Sequence, residues 1–489
     1  VVSTLPLLAS FLDEPFNPSP YAPASRLFWN EFYLDVTRIP EFRRCPVARA
    51  VLNSASFQTD LQSQRASPLV DYRALMALKR RVLEELLRCL LAQPGKRRTS
   101  FQHFVETHPV ADDYAAFRAK TERERTPWTR WHEASRDGTL ACGDYDQADK
   151  QYHLYVQWQA DEQMRTLAEK TKREGPAVYL DFPLGVNRDG YDVWRQRSVF
   201  ASAASGGAPP DMFFTKGQDW GFPPLHPEGL RKQGYRYYID CLRHHLQYAG
   251  MLRIDHVMAL HRLFWIPEGF EPSEGMYVRY PAEEFYAVLN LESHRHRAEI
   301  VGENLGTVPP YTNTTMAKHK IFGMYVGEFG IPTQKGQALE QVRSGTVASI
   351  DTHDTPTFAG FWSGSDIEDR RDLGLLTDAQ SAREHQTRAT QRETLIKNLK
   401  AQGWLDQEAP DAAAVLKAWL CDLSAGAADV VLVNLEDLWL EPFPQNVPGT
   451  WQERPNWRRR ARYRFDEIRR LEPVVDILST VNDVRKKKG

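Results

Sequence analysis

Cysteine is scarce in this chain: five in 489 residues, at positions 45, 89, 142, 241 and 421. None stands in the close spacing of a metal knuckle, and an odd count leaves a disulfide framework incomplete. The expectation is reduced thiols in a cytoplasmic setting. Long apolar runs are also missing, since nothing approaches the roughly 18 to 20 residues that cross a bilayer. The opening from Val1 to Phe11 lacks a basic start and a cleavage pattern and carries an early proline, so it does not read as a signal peptide. Charge of one sign is absent too: 62 Lys plus Arg stand against 64 Asp plus Glu. No net field favours nucleic acid or an anionic membrane as partner, and the expected ligand is neutral or small. There is no repeat of fixed period.

What is present is a 42% apolar content, enough for a sizeable core, and 11% aromatic residues. Several aromatics stand in loops rich in Pro and Gly, where flat rings could stack on the C–H faces of sugars, although core packing accounts for most of them. The length admits two or three ordinary domains or one large barrel with insertions. Helical periodicity over 70–91, 101–118 and 152–172 predicts a mostly helical insertion subdomain across 49–172. From residue 175 onward short apolar runs at 175–185, 251–258, 300, 325 and 348–350 alternate with helical segments at 228–248, 283–291, 316–319, 338–342, 378–402 and 411–420. A late buried strand over 427–439, a closing helix over 465–478 interrupted near Pro473, and a frayed basic tail complete the pattern. Such alternation, with acids at strand ends, predicts an α/β fold, a (β/α)8 TIM-type barrel spanning 1–489 as a single catalytic domain. The stretch 204–226 reads as a long ordered loop covering the active site.

Three apolar runs end in acids beside polar or glycine-rich residues: Asp255 after Met251–Ile254, Glu303 after Ile300–Gly302, and Asp354 after Ile350. Cleavage of a glycosidic bond with retention needs a carboxylate nucleophile and a carboxylic acid held roughly 5 Å apart across the anomeric carbon. Asp255 is short and rigid enough for the first role, and Glu303 reaches far enough for the second. Arg253 would keep Asp255 ionised through a charge-assisted hydrogen bond. Asp354 with His353 would bind sugar hydroxyls and stabilise developing positive charge. One Arg-x-Asp alone is as readily a surface ion pair; three such acids in order are not. His256 reads as a structural histidine.

The stretches 252–257, 302–309, 352–355, 207–211, 217–221, 19–21, 446–450 and 456–458 resemble those of the amylomaltases, 4-α-glucanotransferases of glycoside hydrolase family 77 in the α-amylase clan. The resemblance runs in order from about residue 3 to residue 470. It implies a (β/α)8 barrel and double displacement on α-1,4-glucans, with Asp255 as nucleophile, Glu303 as acid/base and Asp354 as transition-state stabiliser. Arg253 and His353 would be their immediate partners. Tyr21 would stack on the donor sugar, Asp181 would lie near it, and Asp211, Phe213, Gln218 and Trp220 would contact substrate from the covering loop. No metal or other cofactor is implied, and the partners would be maltooligosaccharides, amylose or glycogen-like glucans. A loop rich in Pro, Phe and Trp would exclude water and favour transfer. A glucan hydrolase of the same clan and a non-catalytic glucan-binding protein are the alternatives.

Two departures from the family pattern stand out. Asn304 follows Glu303 where members commonly have Asp. The β/α unit that usually precedes the segment around Leu5–Leu7 is missing, so either the chain is a fragment or the barrel lacks its usual first unit.

Overall fold

Leu78, Val82, Leu86 and Leu90 recur every four residues and are buried along one face of the helix Tyr72–Ala92. Its start is capped by Asp71, which accepts a hydrogen bond from Ala74 N, satisfying a donor that the helix itself leaves open. This helix belongs to the first of two compact units, Val1–Ile300 and Val301–Gly489, in a computed structural model that describes residues 1–175, 177–210 and 216–488.

In the first unit, the helices Pro46–Asn53, Ala55–Ala66, Tyr72–Ala92, Lys96–Thr107, Pro109–Glu124 and Gln147–Glu174 follow one another. The helical segment expected over 101–118 is two helices, because Pro109 has no N–H to continue the first and suits the opening turn of the second. Arg80 binds Glu84, Glu122 and Asp149, on three helices, at 2.8, 2.8 and 2.6 Å. Here the expectation of reduced thiols is corrected: Cys45 and Cys89 form a disulfide, with Cα atoms 5.9 Å apart. A separation of 44 residues carries no spacing signal, and only the packing of Pro46–Asn53 on Tyr72–Ala92 brings the two together. Among the described residues Cys142, Cys241 and Cys421 are free thiols.

The same unit holds parallel strands. Val2–Ser3 pairs with Val178–Phe182, which pairs with Met251–Ile254, and Glu299 N donates to Gly250 O at 2.9 Å. Helices Pro227–Lys232, Arg236–Leu246 and Ala282–His296 connect them. Asp181 stands opposite Arg253 in the parallel register. Because side chains repeat every second residue along a strand, Arg253 and Asp255 then share its face with Asp181.

The stretch read from sequence as one long loop supplies two strands of an antiparallel sheet. Ala204–Ala208 pairs on one side with Gln218–Asp219 and on the other with Arg262–Pro267, which continues to Met276–Arg279. Glycines hide this strand from a hydrophobicity pattern. A Cβ on Gly207 would lie 2.1 Å from Gln218 O, and one on Gly206 would lie 2.5 Å from the Phe222 ring, so neither position admits a side chain.

In the second unit Val301 bridges Phe322 in parallel, and Gly323–Val326, Thr346–Ser349 and Val430–Val431 form a parallel sheet with the second of these in the middle. Helices Asp378–Ala401, Ala412–Ala425 and Glu472–Lys488 pack Leu395, Leu399, Val415, Trp419 and Ile477 into one core. Both units therefore alternate parallel strands with helices, the α/β class expected. Three local expectations fail. Residues 338–342 are not helical, since Glu340 spends its N–H on Gly330 O and its carbonyl on the Tyr325 hydroxyl. The strand expected over 427–439 is reduced to Val430–Val431, followed by the turn Glu436–Trp439. The basic tail is not frayed: Arg485 lies on the last helix and donates to Ser424 O and Ala428 O. Among the described residues, no helix is long and apolar enough to cross a membrane.

The disulfide gives a stability test. Reducing it removes a cross-link across 44 residues, with an expected loss of about 2–4 kcal/mol in urea unfolding followed by far-UV circular dichroism. The Cys45→Ala/Cys89→Ala double variant should lose stability similarly and show no further response to reductant.

Candidate functional site

The register of the first parallel sheet builds the centre of the site. Arg253 Nη1 donates to both carboxylate oxygens of Asp181, at 2.8 and 3.0 Å, and to Asp255 Oδ1 at 2.9 Å. One guanidinium thus joins acids from two neighbouring strands. Tyr21 donates its hydroxyl proton to Asp181 Oδ2 at 2.6 Å, and Leu184 N donates to Asp255 Oδ2 at 3.2 Å. Asp181 and Arg253 are buried. Four of the residues singled out from sequence, Tyr21, Asp181, Arg253 and Asp255, therefore meet in one hydrogen-bonded group. Its face carries an aspartate with both oxygens oriented by donors.

Behind this group lies a layer that the sequence did not disclose. Arg26 is fully buried and donates to Pro183 O and Leu184 O at 3.2 and 3.1 Å. Its guanidinium lies over the rings of Phe182 and Tyr237. Asp192, also buried, accepts from Ser25 Oγ, Arg26 N and Tyr237 Oη at 2.5, 2.8 and 2.6 Å. Burial raises the Asp192 carboxyl above its ordinary range, and those three donors oppose the rise. The network clamps the turn at Pro183–Leu184, whose N–H reaches Asp255. The partners stand up to 211 residues apart, so no motif could have announced them.

Trp220 is presented by the antiparallel sheet. Its backbone N donates to Gly206 O at 2.9 Å, its indole donates to Gln218 Oε1 at 3.2 Å, and its ring meets the edge of His256 at 5.2 Å. Gln218 and Trp220 are thereby tied to the residue that follows Asp255. His256 adopts a left-handed backbone, φ 47°. Burial pushes its imidazole down to about 4, with Asp255 opposing and Arg253 assisting, so it is neutral at pH 7, in keeping with a structural part. Asp255 and His256 also line a cavity of about 40 Å³ with Phe182, Leu184, Phe222 and Tyr280. Asp211 and Phe213 lie outside the described residues.

Glu303 and Asp354 belong to the second unit. Glu303 is buried and accepts from Leu305 N at 3.0 Å. Asn304 accepts from Met324 N at 2.8 Å and donates to Asn313 Oδ1 at 2.8 Å. An amide can do both; a carboxylate could only accept. The loop after Thr346–Ser349 is a tight turn in which Thr352 N donates to Thr355 Oγ1 and Asp354 N to Thr352 Oγ1, at 2.8 and 3.2 Å. It sets His353 Nε2 3.2 Å from Asp354 Oδ2. Asn446 Nδ2 donates to Asp354 Oδ1 at 2.8 Å, and Trp457 lies 5.9 Å from His353. Asn446 and Trp457 sit in motifs that carried the resemblance, but neither was singled out as a site residue. Among the described residues no group of three or more His, Cys, Asp or Glu could hold a metal ion.

The sequence profile of glycoside hydrolase family 77, described as 4-alpha-glucanotransferase, matches residues 1–465. A 4-alpha-glucanotransferase of Mycobacterium bovis is 34% identical over 461 residues, covering 91% of this chain and 63% of the relative. One from Haemophilus influenzae is 30% identical over 468 residues, covering 90% of this chain and 67% of the relative. The chain thus spans less than two thirds of the mycobacterial protein's length. Among solved structures, the amylomaltase of Corynebacterium glutamicum superposes with a TM-score of 0.85 at 26% identity, over 98% of this chain and 69% of its own. The amylomaltase of Streptococcus agalactiae in complex with acarbose shares the fold, with a TM-score of 0.76 at 21% identity over 98% of this chain and 91% of its own.

The shared guanidinium generates a prediction. In Arg253→Met the buried Asp181 and the neighbouring Asp255 lose their cation, with an expected cost of about 3–5 kcal/mol in urea unfolding. Adding Asp181→Asn should recover part of that loss, because one of the two negative charges is then gone.

Proposed function

The chain belongs to glycoside hydrolase family 77, the 4-alpha-glucanotransferases, and from that premise we propose that it moves α-1,4-glucan segments between maltooligosaccharide or starch-like donors and acceptors, with retention, through a covalent glycosyl-Asp255 intermediate. The observation that carries the reading is the Arg253 guanidinium held between Asp181 and Asp255, with Leu184 N on the other Asp255 oxygen. A nucleophilic carboxylate must present one oxygen to the anomeric carbon at a fixed angle, and donors on both oxygens set that angle.

In the proposed cycle Asp255 attacks the anomeric carbon while Glu303 delivers its proton to the departing glycosidic oxygen. The reducing-end fragment leaves and the donor segment remains as an ester on Asp255. The 4-hydroxyl of an acceptor sugar then gives its proton to Glu303, attacks the same carbon and restores the α-linkage. Asp354, oriented by Asn446 and His353, would bind ring hydroxyls and stabilise the oxocarbenium-like charge. Tyr21, Gln218, Trp220, Asp211 and Phe213 would contact the donor and acceptor sugars. No cofactor takes part. The helical stretch 49–172 is proposed as an insertion into the catalytic barrel, and 204–226 as its cover. Residence in the cytoplasm is part of the reading, and the Cys45–Cys89 bridge argues against it, because disulfides persist mainly in oxidising compartments.

Incubation with maltotriose should yield glucose together with chains longer than the substrate; products no longer than maltotriose would instead indicate hydrolysis. Asp255→Asn should lower turnover by about 10³-fold or more, and retention of full activity would remove Asp255 from the nucleophile's role. With Glu303→Gln and a glycosyl fluoride donor, peptide mapping should find the trapped sugar on the peptide containing Asp255.

A further inference from the structure

The segment 441–459 displays a ring that the mechanism above does not use. Phe443 is 52% exposed. A single exposed apolar side chain is ordinary on a protein surface, but this one is held stiffly. It stands between Pro442 and Pro444. Each proline fixes its own φ, and Pro444 confines the residue before it to extended backbone. The Arg459 guanidinium lies over the ring, 4.7 Å from its centroid, an attraction that steadies one side of it. What stays open to solvent is the part that Arg459 leaves uncovered.

Contacts on either side tie the ring to the loop 351–357, which carries His353 and Asp354. At the end of that loop Thr357 Oγ1 donates to Glu441 O at 2.5 Å, and a Cβ on Gly360 would lie 3.0 Å from Pro442 O. Further on, Gln445 O accepts from Trp457 N at 2.8 Å. Phe443 comes two residues before Gln445, and Arg459 two residues after Trp457. The same two stretches reach the site itself: Asn446 donates to Asp354, and Trp457 lies 5.9 Å from His353. Phe443 is three residues from Asn446, a span of at most about 11 Å of extended chain.

We propose that Phe443 is a sugar-stacking residue, binding a glucosyl unit of the chain that Asp354 engages but further along it, and that Arg459 is the positioning residue that steadies the ring. The proposal rests on the reading of the protein as an α-glucan transferase with Asp354 at a sugar. A phenyl ring has neither donor nor acceptor, so the ligand surface that fits it is flat and apolar. A glucosyl unit offers such a surface in its C–H face while its hydroxyls stay in water. Such a contact adds affinity only when the substrate is long enough to reach it, so Phe443 makes the enzyme favour longer glucans.

The test compares wild type, Phe443→Ala, Phe443→Trp and Arg459→Met on maltotriose and on maltoheptaose. In Phe443→Ala the ratio of the maltoheptaose KM to the maltotriose KM should rise about 5-fold, the size of one aromatic contact. KM should move more than kcat, as loss of binding shared by ground and transition states requires. Phe443→Trp keeps a flat ring and should restore the wild-type ratio. Arg459→Met should raise the ratio by a smaller factor, about 2-fold. An unchanged ratio in Phe443→Ala would overturn the stacking role, and an unchanged ratio in Arg459→Met the positioning role. Calorimetric titration of maltoheptaose into Glu303→Gln and into Glu303→Gln/Phe443→Ala separates this proposal from the reading beneath it. Weaker binding by the double variant supports the stacking role, and equal binding overturns it while leaving the transferase reading in place. If wild type neither binds nor turns over either sugar, the transferase reading falls and the stacking role with it.

Discussion

One guanidinium organises the chemistry of the first unit. Arg253 is buried between two acids on neighbouring parallel strands, and a buried cation holds its place only when its charge is matched and its donors are used. Asp181 meets that need through both of its oxygens, Asp255 through one. The same bonds that make the cation tolerable fix the orientation of Asp255. Tyr21 joins by closing on Asp181, so a loop near the amino terminus is registered against a strand 160 residues away.

What the sequence disclosed and what it hid divide along a physical line. Asp181, Asp255, Glu303 and Asp354 follow short apolar runs, and a buried strand that ends in an acid is visible in one dimension because its signal is local. The contact of Arg253 with Asp255 is local as well, two residues along one strand. Arg26, Asp192 and Tyr237 gave no such signal: each is an ordinary residue type in an ordinary segment, and their meaning lies in pairings across 45 to 211 residues. Cys45 and Cys89 were missed for the same reason. The antiparallel sheet was missed for a different one, because Gly206 and Gly207 replace the side chains whose alternation marks a strand.

In the second unit hydroxyls and amides do the positioning. Asp354 rides on a turn closed by threonine hydroxyls and is reached by Asn446 from a segment 92 residues on. Amides recur where charge would be expected: Asn304 bridges Met324 N and Asn313, Asn434 grips Asp351, and Asn456 orders the segment behind Asn446 by accepting from Val447 N and donating to Thr450 O. An amide offers a donor and an acceptor at no cost in charge desolvation. That suits a region already crowded with acids, where each further carboxylate would raise its neighbours' proton affinity. Asn304 fits this logic, and replacing it with Asp would remove the donor that meets Asn313.

The aromatic placement near Asp255 is in turn a backbone effect. Trp220 reaches His256 because its own N–H is taken by Gly206 O, and that bond is short only because Gly206 and Gly207 let neighbouring chain segments approach where a Cβ would collide with Gln218 O or Phe222. Phe222 then fills the space beside Gly206 and stacks with Trp220 at 6.2 Å. A methyl group at either glycine would therefore act on Trp220 at a distance, displacing the ring without touching it. The position of a large aromatic beside His256 is decided by two residues with no side chain, which is why composition points to the ring and only packing explains where it stands.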